Sequence, residues 1–190
     1  VPGRYLRASD LTGALDQTNN PEWKTLGFDE ADESLTLPNG SIGFRWGESG
    51  KWNIEDRDAR DGHTARLTLS LADRHDAMMP IAFPYFGGTA PAAFHATDHE
   101  SVLERNVPVR HVQTKDGMVA VATVFDLMAA NYGIDRGFGG GNVAADYDEN
   151  TPYTPAWAEA VTGVPRAQII TVARQFADNA EKTQGKSMII

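Results

Sequence analysis

The strongest constraint on this chain is the stretch from Tyr153 to Asn179. Thr154 is a good helix N-cap, and Pro155 follows at the first helical position, where its missing N–H costs nothing. A short helix then carries Trp157 and Val161, four residues apart and so on one face. Trp157 is expected to anchor this helix to a core. Gly163 supplies the left-handed residue that ends it, and Pro165 restarts a second helix. There Ile169, Val172, Ala173 and Phe176 sit at i, i+3, i+4 and i+7, an apolar stripe. Arg166, Gln168, Arg174, Gln175 and Asp178 lie largely off it. Two amphipathic helices meeting at a tight Gly163-Val164-Pro165 corner are therefore expected. After the polar run from Glu181 to Lys186, Ser187-Met188-Ile189-Ile190 reads as the start of a buried strand. A strand that opens where the chain stops, with Val1 at the other end, is the pattern expected of an internal segment of a longer protein. A strand cut in this way is also expected to seek a partner, so that the isolated segment self-associates by strand addition or swapping.

The remainder reads as short strands and turns. Ser9 is placed to cap a helix through Asp10, Leu11, Ala14 and Leu15, and Trp23 to Phe28 reads as a short strand. Leu35 and Leu37 lead into a Pro38-Asn39-Gly40 turn. Ile42, Phe44 and Trp46 alternate with Gly43, Arg45 and Gly47, the period of a half-buried strand. Leu67, Leu69 and Leu71 repeat that pattern. Asp73 to Asp76 reads as solvated. Ile81 to Phe86, broken by Pro84, reads as an edge segment or an extended loop. Val107 to Gln113 and Met118 to Val124 flank Lys115-Asp116-Gly117 as a β-hairpin. A helix is expected from about Val124 to Tyr132, stopped by Gly133. Gly137 to Asn150 reads as a mobile surface loop. The fold class is thus mixed α/β with α+β character. Residues 28–126 form a β-rich, insert-like region, and 127–190 a helical part returning to an α/β domain, all within a single internal fragment, 1–190.

Composition excludes several classes. The chain has 190 residues, and 17 basic against 26 acidic side chains leave a net charge of −9. That balance argues against a nucleic-acid partner, which needs clustered Lys and Arg. Apolar content is 41%, and no run reaches the roughly 18 apolar residues of a membrane span. There is no cysteine, so the chain itself offers no disulfide, no thiolate zinc site and no cysteine ligand to an iron–sulfur cluster.

Few residues point to chemistry. His95 and His99 stand four apart beside Asp98 and Glu100, a spacing that suits zinc on a helix. The general base of an H-E-x-x-H motif is missing, because position 96 is Ala, and a solvated polar turn is the better reading. Gly137, Gly139 and Gly141 resemble a nucleotide loop only superficially, since Asn142 breaks the spacing and no strand precedes them. Asn39-Gly40-Ser41 matches a glycosylation acceptor and reads as a turn. Trp23, Phe44, Trp46 and Trp52 offer an aromatic ligand platform, although such residues more often close a small β core. The residues alone single out no catalytic, cofactor-binding or metal site.

Several stretches carry a family resemblance. Tyr153-Thr154-Pro155, Trp157-Ala158 and Thr162-Gly163-Val164-Pro165 resemble a corner of molybdopterin oxidoreductases of the dimethyl-sulfoxide-reductase superfamily. Asn20-Pro21-Glu22-Trp23-Lys24-Thr25, the run from Pro38 to Gly47, Gly50-Lys51-Trp52-Asn53 and Phe83-Pro84-Tyr85-Phe86-Gly87-Gly88 narrow the match. So do Tyr132-Gly133 and Asp178-Asn179-Ala180. Together, from about Tyr5 to Ile190, they resemble the α (catalytic) subunits of respiratory nitrate reductases. The resemblance implies an enzyme that reduces nitrate to nitrite by oxygen-atom transfer to molybdenum. The metal is held by two molybdopterin guanine dinucleotides and a carboxylate, near a 4Fe-4S cluster. It implies an iron–sulfur β subunit and a membrane cytochrome b γ subunit as partners, with the α subunit peripheral on the cytoplasmic side of the membrane. The cluster-binding region and the metal carboxylate fall before this segment in the family. No site residue is therefore carried over onto it, and the isolated segment is expected to be inactive and free of cofactor. The alternative is a free-standing, non-catalytic binding module with an aromatic-lined groove at Trp23, Trp46 and Trp52.

Overall fold

The computed structural model describes residues 3–12, 24–38, 57–58, 60–84, 102–141, 143–183, 185 and 187. Among these lie three α-helices and two small antiparallel sheets, an α+β arrangement. The chain divides into two compact units, one of Pro2–Met79 and Val107–Leu127, the other of Pro80–Asn106 and Met128–Ile190.

The first unit opens with a single 3-10 turn, Ala8–Asp10. The helix expected to be capped by Ser9 and to run through Asp10, Leu11, Ala14 and Leu15 does not start there, because Leu11 is extended, at φ −91° and ψ 163°; Ala14 and Leu15 lie outside the described residues. Asp10 explains this locally. Its carboxylate turns back to accept from the Arg7 N–H at 2.8 Å and from both Arg4 guanidinium nitrogens at 2.7 and 2.6 Å. That competition favours a turn over helix propagation. Arg7 then bridges Thr25, ahead of strand β1 (Gly27–Asp29). The strand expected over 23–28 is thus shorter and begins at Gly27. β1 pairs antiparallel with β2 (Ser34–Thr36), Gly27 opposite Thr36 and Asp29 opposite Ser34.

The strand expected from Leu67 to Leu71 is also absent. Only Leu67 makes a bridge, to Asp29. Thr68 Oγ1 donates to the Ser70 carbonyl at 2.8 Å, and the Leu71 N–H goes to the Asp126 carboxylate at 2.8 Å. Side chains have taken the backbone partners that a ladder would need. The alternation fails with it: Leu69 is 72% exposed and Leu71 is buried. The core of this unit gathers Ala8, Leu11, Leu37, Ala65, Leu71, Val107 and Val109.

A three-stranded sheet has the order β3-β4-β5, formed by β3 (Ala77–Pro84), β4 (Val102–Thr114) and β5 (Gly117–Val121). β3 lies at the edge, where its prolines Pro80 and Pro84 remove no donor that a second neighbour would need. The hairpin expected around Lys115-Asp116-Gly117 is present, with Thr114 opposite Gly117 and Arg110 opposite Val121. Its positive φ of 114° falls on Gly117, where no side chain is strained. Helix α1 (Val124–Asn131) follows. Gly133, at φ 68°, ends it as expected, with Gly133 N–H bonding Ala130 O and Ile134 N–H bonding Ala129 O.

In the second unit the core side chains are Phe83, Leu103 and Ala129. The glycine run is a surface loop as expected, and it is bonded to β4: Gly140 bridges Arg105, and the Gly141 N–H reaches Glu104 O at 3.0 Å. Helix α2 (Pro155–Thr162) is capped as its sequence demands. Thr154 Oγ1 accepts from the Trp157 N–H at 3.1 Å, and Gly163 closes the helix at φ 74°. Helix α3 (Arg166–Lys182) follows at once. One expectation needs correction. Trp157 is half-buried, edge-on to Tyr153 at 5.3 Å, and α2 has no buried residue. The α3 stripe is present as expected, with Val172 58% and Phe176 41% exposed. No helix of the described residues is long and apolar enough to cross a membrane.

Candidate functional site: a histidine between two carboxylate turns

The densest group of titratable side chains surrounds His63, in the first unit. The β1–β2 turn brings Asp29 and Asp32, the latter on a tight connection where Glu33 takes φ 51°. Residues 57–58 and 60–64 bring Asp58 and Asp61 together at a turn, with the Asp58 N–H bonding His63 O and the Gly62 N–H bonding Asp58 O, both at 2.9 Å. Asp61 Oδ1 lies 2.6 Å from His63 Nδ1 and accepts from the His63 N–H at 3.0 Å. Asp29 Oδ2 lies 3.1 Å from His63 Nε2. Both ring nitrogens thus face carboxylates, an arrangement that suits an imidazolium with two donors. Accordingly Asp61, and after it Asp29, raise the pKa of His63 above its ordinary value.

Asp58 sits beneath this cluster and is fully buried. Its Oδ2 accepts from Thr36 Oγ1 at 2.6 Å, the Leu37 N–H at 3.0 Å and Arg60 Nη2 at 2.8 Å. Its Oδ1 accepts from the Arg60 N–H and Nε, both at 2.8 Å. Burial is the largest influence and pushes its pKa up, but the Arg60 guanidinium, Thr36 and the two backbone amides outweigh it. The carboxyl is held well below the usual range. Asp29 is likewise lowered, first by the Ala31 N–H at 2.9 Å, against burial, then by His63.

His63 with Asp29 and Asp32, and His63 with Asp58 and Asp61, each present three ligand atoms within 4.8 Å of one another. Such sets have metal-binding chemistry in principle. Here the buried carboxylates are spent on this chain's own donors. The group closes the two turns on each other and compensates the charge of the imidazolium. Reasoning from sequence missed it, although the Asp58-x-x-Asp61-x-His63 spacing was there to read.

The other candidates are placed as follows. Of the glycines, Gly137 gives its N–H to Asp135 Oδ1 at 2.9 Å, and the Gly141 N–H goes to Glu104 O. Amides that a phosphate cradle would use are already committed. At the α2–α3 corner a shallow depression of about 630 Å³ includes Asp148, Glu159 and Arg166 in its lining. The Arg166 N–H at the α3 N-terminus is held by Glu159 Oε2 at 3.0 Å, so the helix end carries its own anion. His95, His99, Trp23, Phe44, Trp46, Trp52 and the Asn39-Gly40-Ser41 triplet lie outside the described residues, as do Met188 to Ile190.

The described residues therefore define an α+β segment whose buried carboxylates Asp29 and Asp58 are held by its own donors. Comparison with known proteins adds a likeness. The chain is similar over its whole length to nitrate reductase alpha chains. It is 54% identical over 189 residues to the respiratory nitrate reductase 1 alpha chain of Escherichia coli (strain K12). It is 36% identical over 188 residues to the nitrate reductase alpha chain of Bacillus subtilis (strain 168). Each alignment takes in 99% of this chain but only 15% and 14% of those relatives. A nitrate reductase alpha subunit of Mycobacterium tuberculosis (strain ATCC 25618 / H37Rv) is 35% identical over 193 residues, 100% of this chain and 14% of that relative. No family model matches the chain.

Proposed function

We propose that this chain is a segment of the alpha, catalytic, subunit of a respiratory nitrate reductase, an enzyme that reduces nitrate to nitrite. The observation that carries the reading is whole-length similarity, at 54% identity, to an alpha chain of that name. In this reading the complete subunit holds molybdenum between two molybdopterin guanine dinucleotides and carries a 4Fe-4S cluster. It receives electrons from an iron–sulfur β subunit and a membrane cytochrome b γ subunit, peripheral on the cytoplasmic side of the membrane. Residues 28–126 form a β-rich insert, and 127–190 return the chain to the main α/β domain.

Within that enzyme the described residues act as scaffold, and none of them is assigned a catalytic, cofactor or metal role. Two observations support this. The chain has no cysteine, so no thiolate from it reaches a cluster. The buried carboxylates Asp29, Asp58 and Asp126 all accept hydrogen bonds from donors within the segment, which does not fit a metal ligand. No step of the reaction is assigned to its residues. The test is to produce the complete subunit carrying this segment, with its partner subunits and its molybdenum, and to measure nitrite formed from nitrate with a reduced electron donor. Nitrite formation is expected. A molybdenum-loaded complex that leaves nitrate untouched would refute the reading.

A further inference from the structure

We propose that Trp157, Tyr153 and Tyr132 form a relay for single oxidising equivalents, which carries a radical formed on the Trp157 indole to the phenol of Tyr132. The three rings touch in series. Tyr153 meets Trp157 edge-on at 5.3 Å between ring centroids and Tyr132 at 5.5 Å, with interplanar angles of 62° and 83°. Electrons cross such ring contacts without any motion of the chain. The backbone singles out the middle ring. Tyr153 has a φ of 74°, in the left-handed region that a bulky side chain rarely adopts. The turn around it is fixed by the Thr154 N–H on Thr151 O at 3.1 Å and by Thr154 Oγ1 on Glu149 O at 2.6 Å. Backbone strain of this kind persists where the surroundings over-determine it, and it clusters at functional sites.

The two ends differ in chemistry. Trp157 and Tyr153 are half-buried, whereas Tyr132 is 52% exposed. Where water takes the phenolic proton, a phenol is easier to oxidise at neutral pH than an indole, so the radical is driven towards Tyr132. A one-electron oxidant of the radical class, such as the azidyl radical, takes an electron from Trp157 and is reduced to its anion. The indole N–H proton passes to water and leaves a neutral Trp157 radical. Tyr132 then gives one electron through the Tyr153 ring and its phenolic proton to water. Trp157 receives that electron and a proton from water, so the indole is restored and the neutral radical rests on Tyr132. A thiol or ascorbate returns Tyr132 to the phenol by donating a hydrogen atom. Tyr153 acts as a bridge and not as a resting place. Burial lowers the pKa of Arg105 and the Tyr153 phenol opposes that shift, so a guanidinium cation stands within electrostatic reach of the ring. A second positive charge on Tyr153 is disfavoured there.

The experiment exposes the complete alpha chain, in its complex, to azidyl radicals with a nitroso spin trap present. Peptide mapping by mass spectrometry reads trap bound to Tyr132 and the ring-opened product of Trp157. Trp157→Phe is expected to lower the Tyr132 adduct several-fold, because the indole is where the oxidant acts first. Tyr132→Phe is expected to raise the ring-opened Trp157 product several-fold, because the radical then has no phenol to reach. Tyr153→Leu is expected to lower the Tyr132 adduct, and Tyr153→Phe, which keeps the ring, to retain it. A Tyr132 adduct unchanged by Trp157→Phe overturns the relay. So does a Trp157 product that is the same in the parent chain and in Tyr132→Phe, whether abundant or absent. An adduct that survives Tyr153→Leu removes the bridge and overturns the series as drawn. Nitrate reduction enters none of these readouts, so the relay stands or falls apart from the alpha-chain reading.

Discussion

Asp58 illustrates how a single residue organises its surroundings. One carboxylate receives five hydrogen bonds, from Thr36, Leu37 and three donors of Arg60. Its side chain is inaccessible to solvent, whereas that of Arg60 is 30% exposed. Removing the acid leaves a buried hydroxyl and amide without partners and a guanidinium without its counter-charge. Asp58→Ala is expected to cost about 3 kcal/mol, read from the urea midpoint. His63 gives a second prediction, in pH. Its pKa is raised from 6.5 by Asp61 and Asp29. A raised group contributes its full stability below the unfolded value and loses it as pH climbs through the folded one. Stability is therefore expected to fall from pH 6 toward the alkaline side. The neighbouring acids Asp29 and Asp61 have lowered values and stay ionised through that window. His63→Gln should abolish this slope in denaturation curves taken across the range. A variant that keeps the slope would show that another group carries it.

At the scale of elements, caps and one glycine set the geometry. Thr154 accepts from the Trp157 N–H and also donates to Glu149 O at 2.6 Å, tying α2 to the loop before it. Thr154→Ala is expected to destabilise by about 1–2 kcal/mol and Thr154→Ser by much less, a contrast that thermal denaturation would resolve. Gly140 is held at φ 108°, and a Cβ there would lie 2.9 Å from Arg105 Cα and Asn106 N. Both are backbone atoms of β4 and cannot swing aside. Gly140→Ala should cost about 2 kcal/mol and release the loop from β4, seen as faster amide exchange at Gly141. Arg105 joins this strand to α1. Its buried guanidinium donates to the carbonyls of Ala130 and Asn131 at 2.9 and 2.7 Å, capping the negative end of the helix.

At the scale of the whole molecule, surface chemistry is dominated by acid, with a net charge of −9. Exposed apolar side chains on α1 and α3, among them Phe125, Met128, Val172 and Phe176, interrupt that surface. With no thiolate in the chain, the purified segment produced alone is expected to carry no iron–sulfur cluster. Near-stoichiometric iron together with acid-labile sulfide would contradict the scaffold role.

Local signals alone determined much of the architecture. The Thr154-Pro155 cap, the Gly163 and Gly133 helix ends, the Lys115-Asp116-Gly117 hairpin and the edge placement of the proline-broken strand were all legible, because caps, turns and proline act through neighbours a few residues away. The similarity to nitrate reductase alpha chains was legible as well, from aromatic–glycine blocks and the Tyr153–Pro165 corner. Only the tertiary structure decided the rest. Leu67 to Leu71 has the period of a strand, yet Thr68 and a carboxylate at Asp126, 55 residues further along from Leu71, claim its backbone. The α3 stripe has the period of a buried face, yet nothing in the described residues covers it. His63 meets Asp29 across 34 positions of sequence. Periodicity states which side of an element is suited to burial. Which partner arrives there depends on long-range contacts, and those are set by how the whole chain closes on itself.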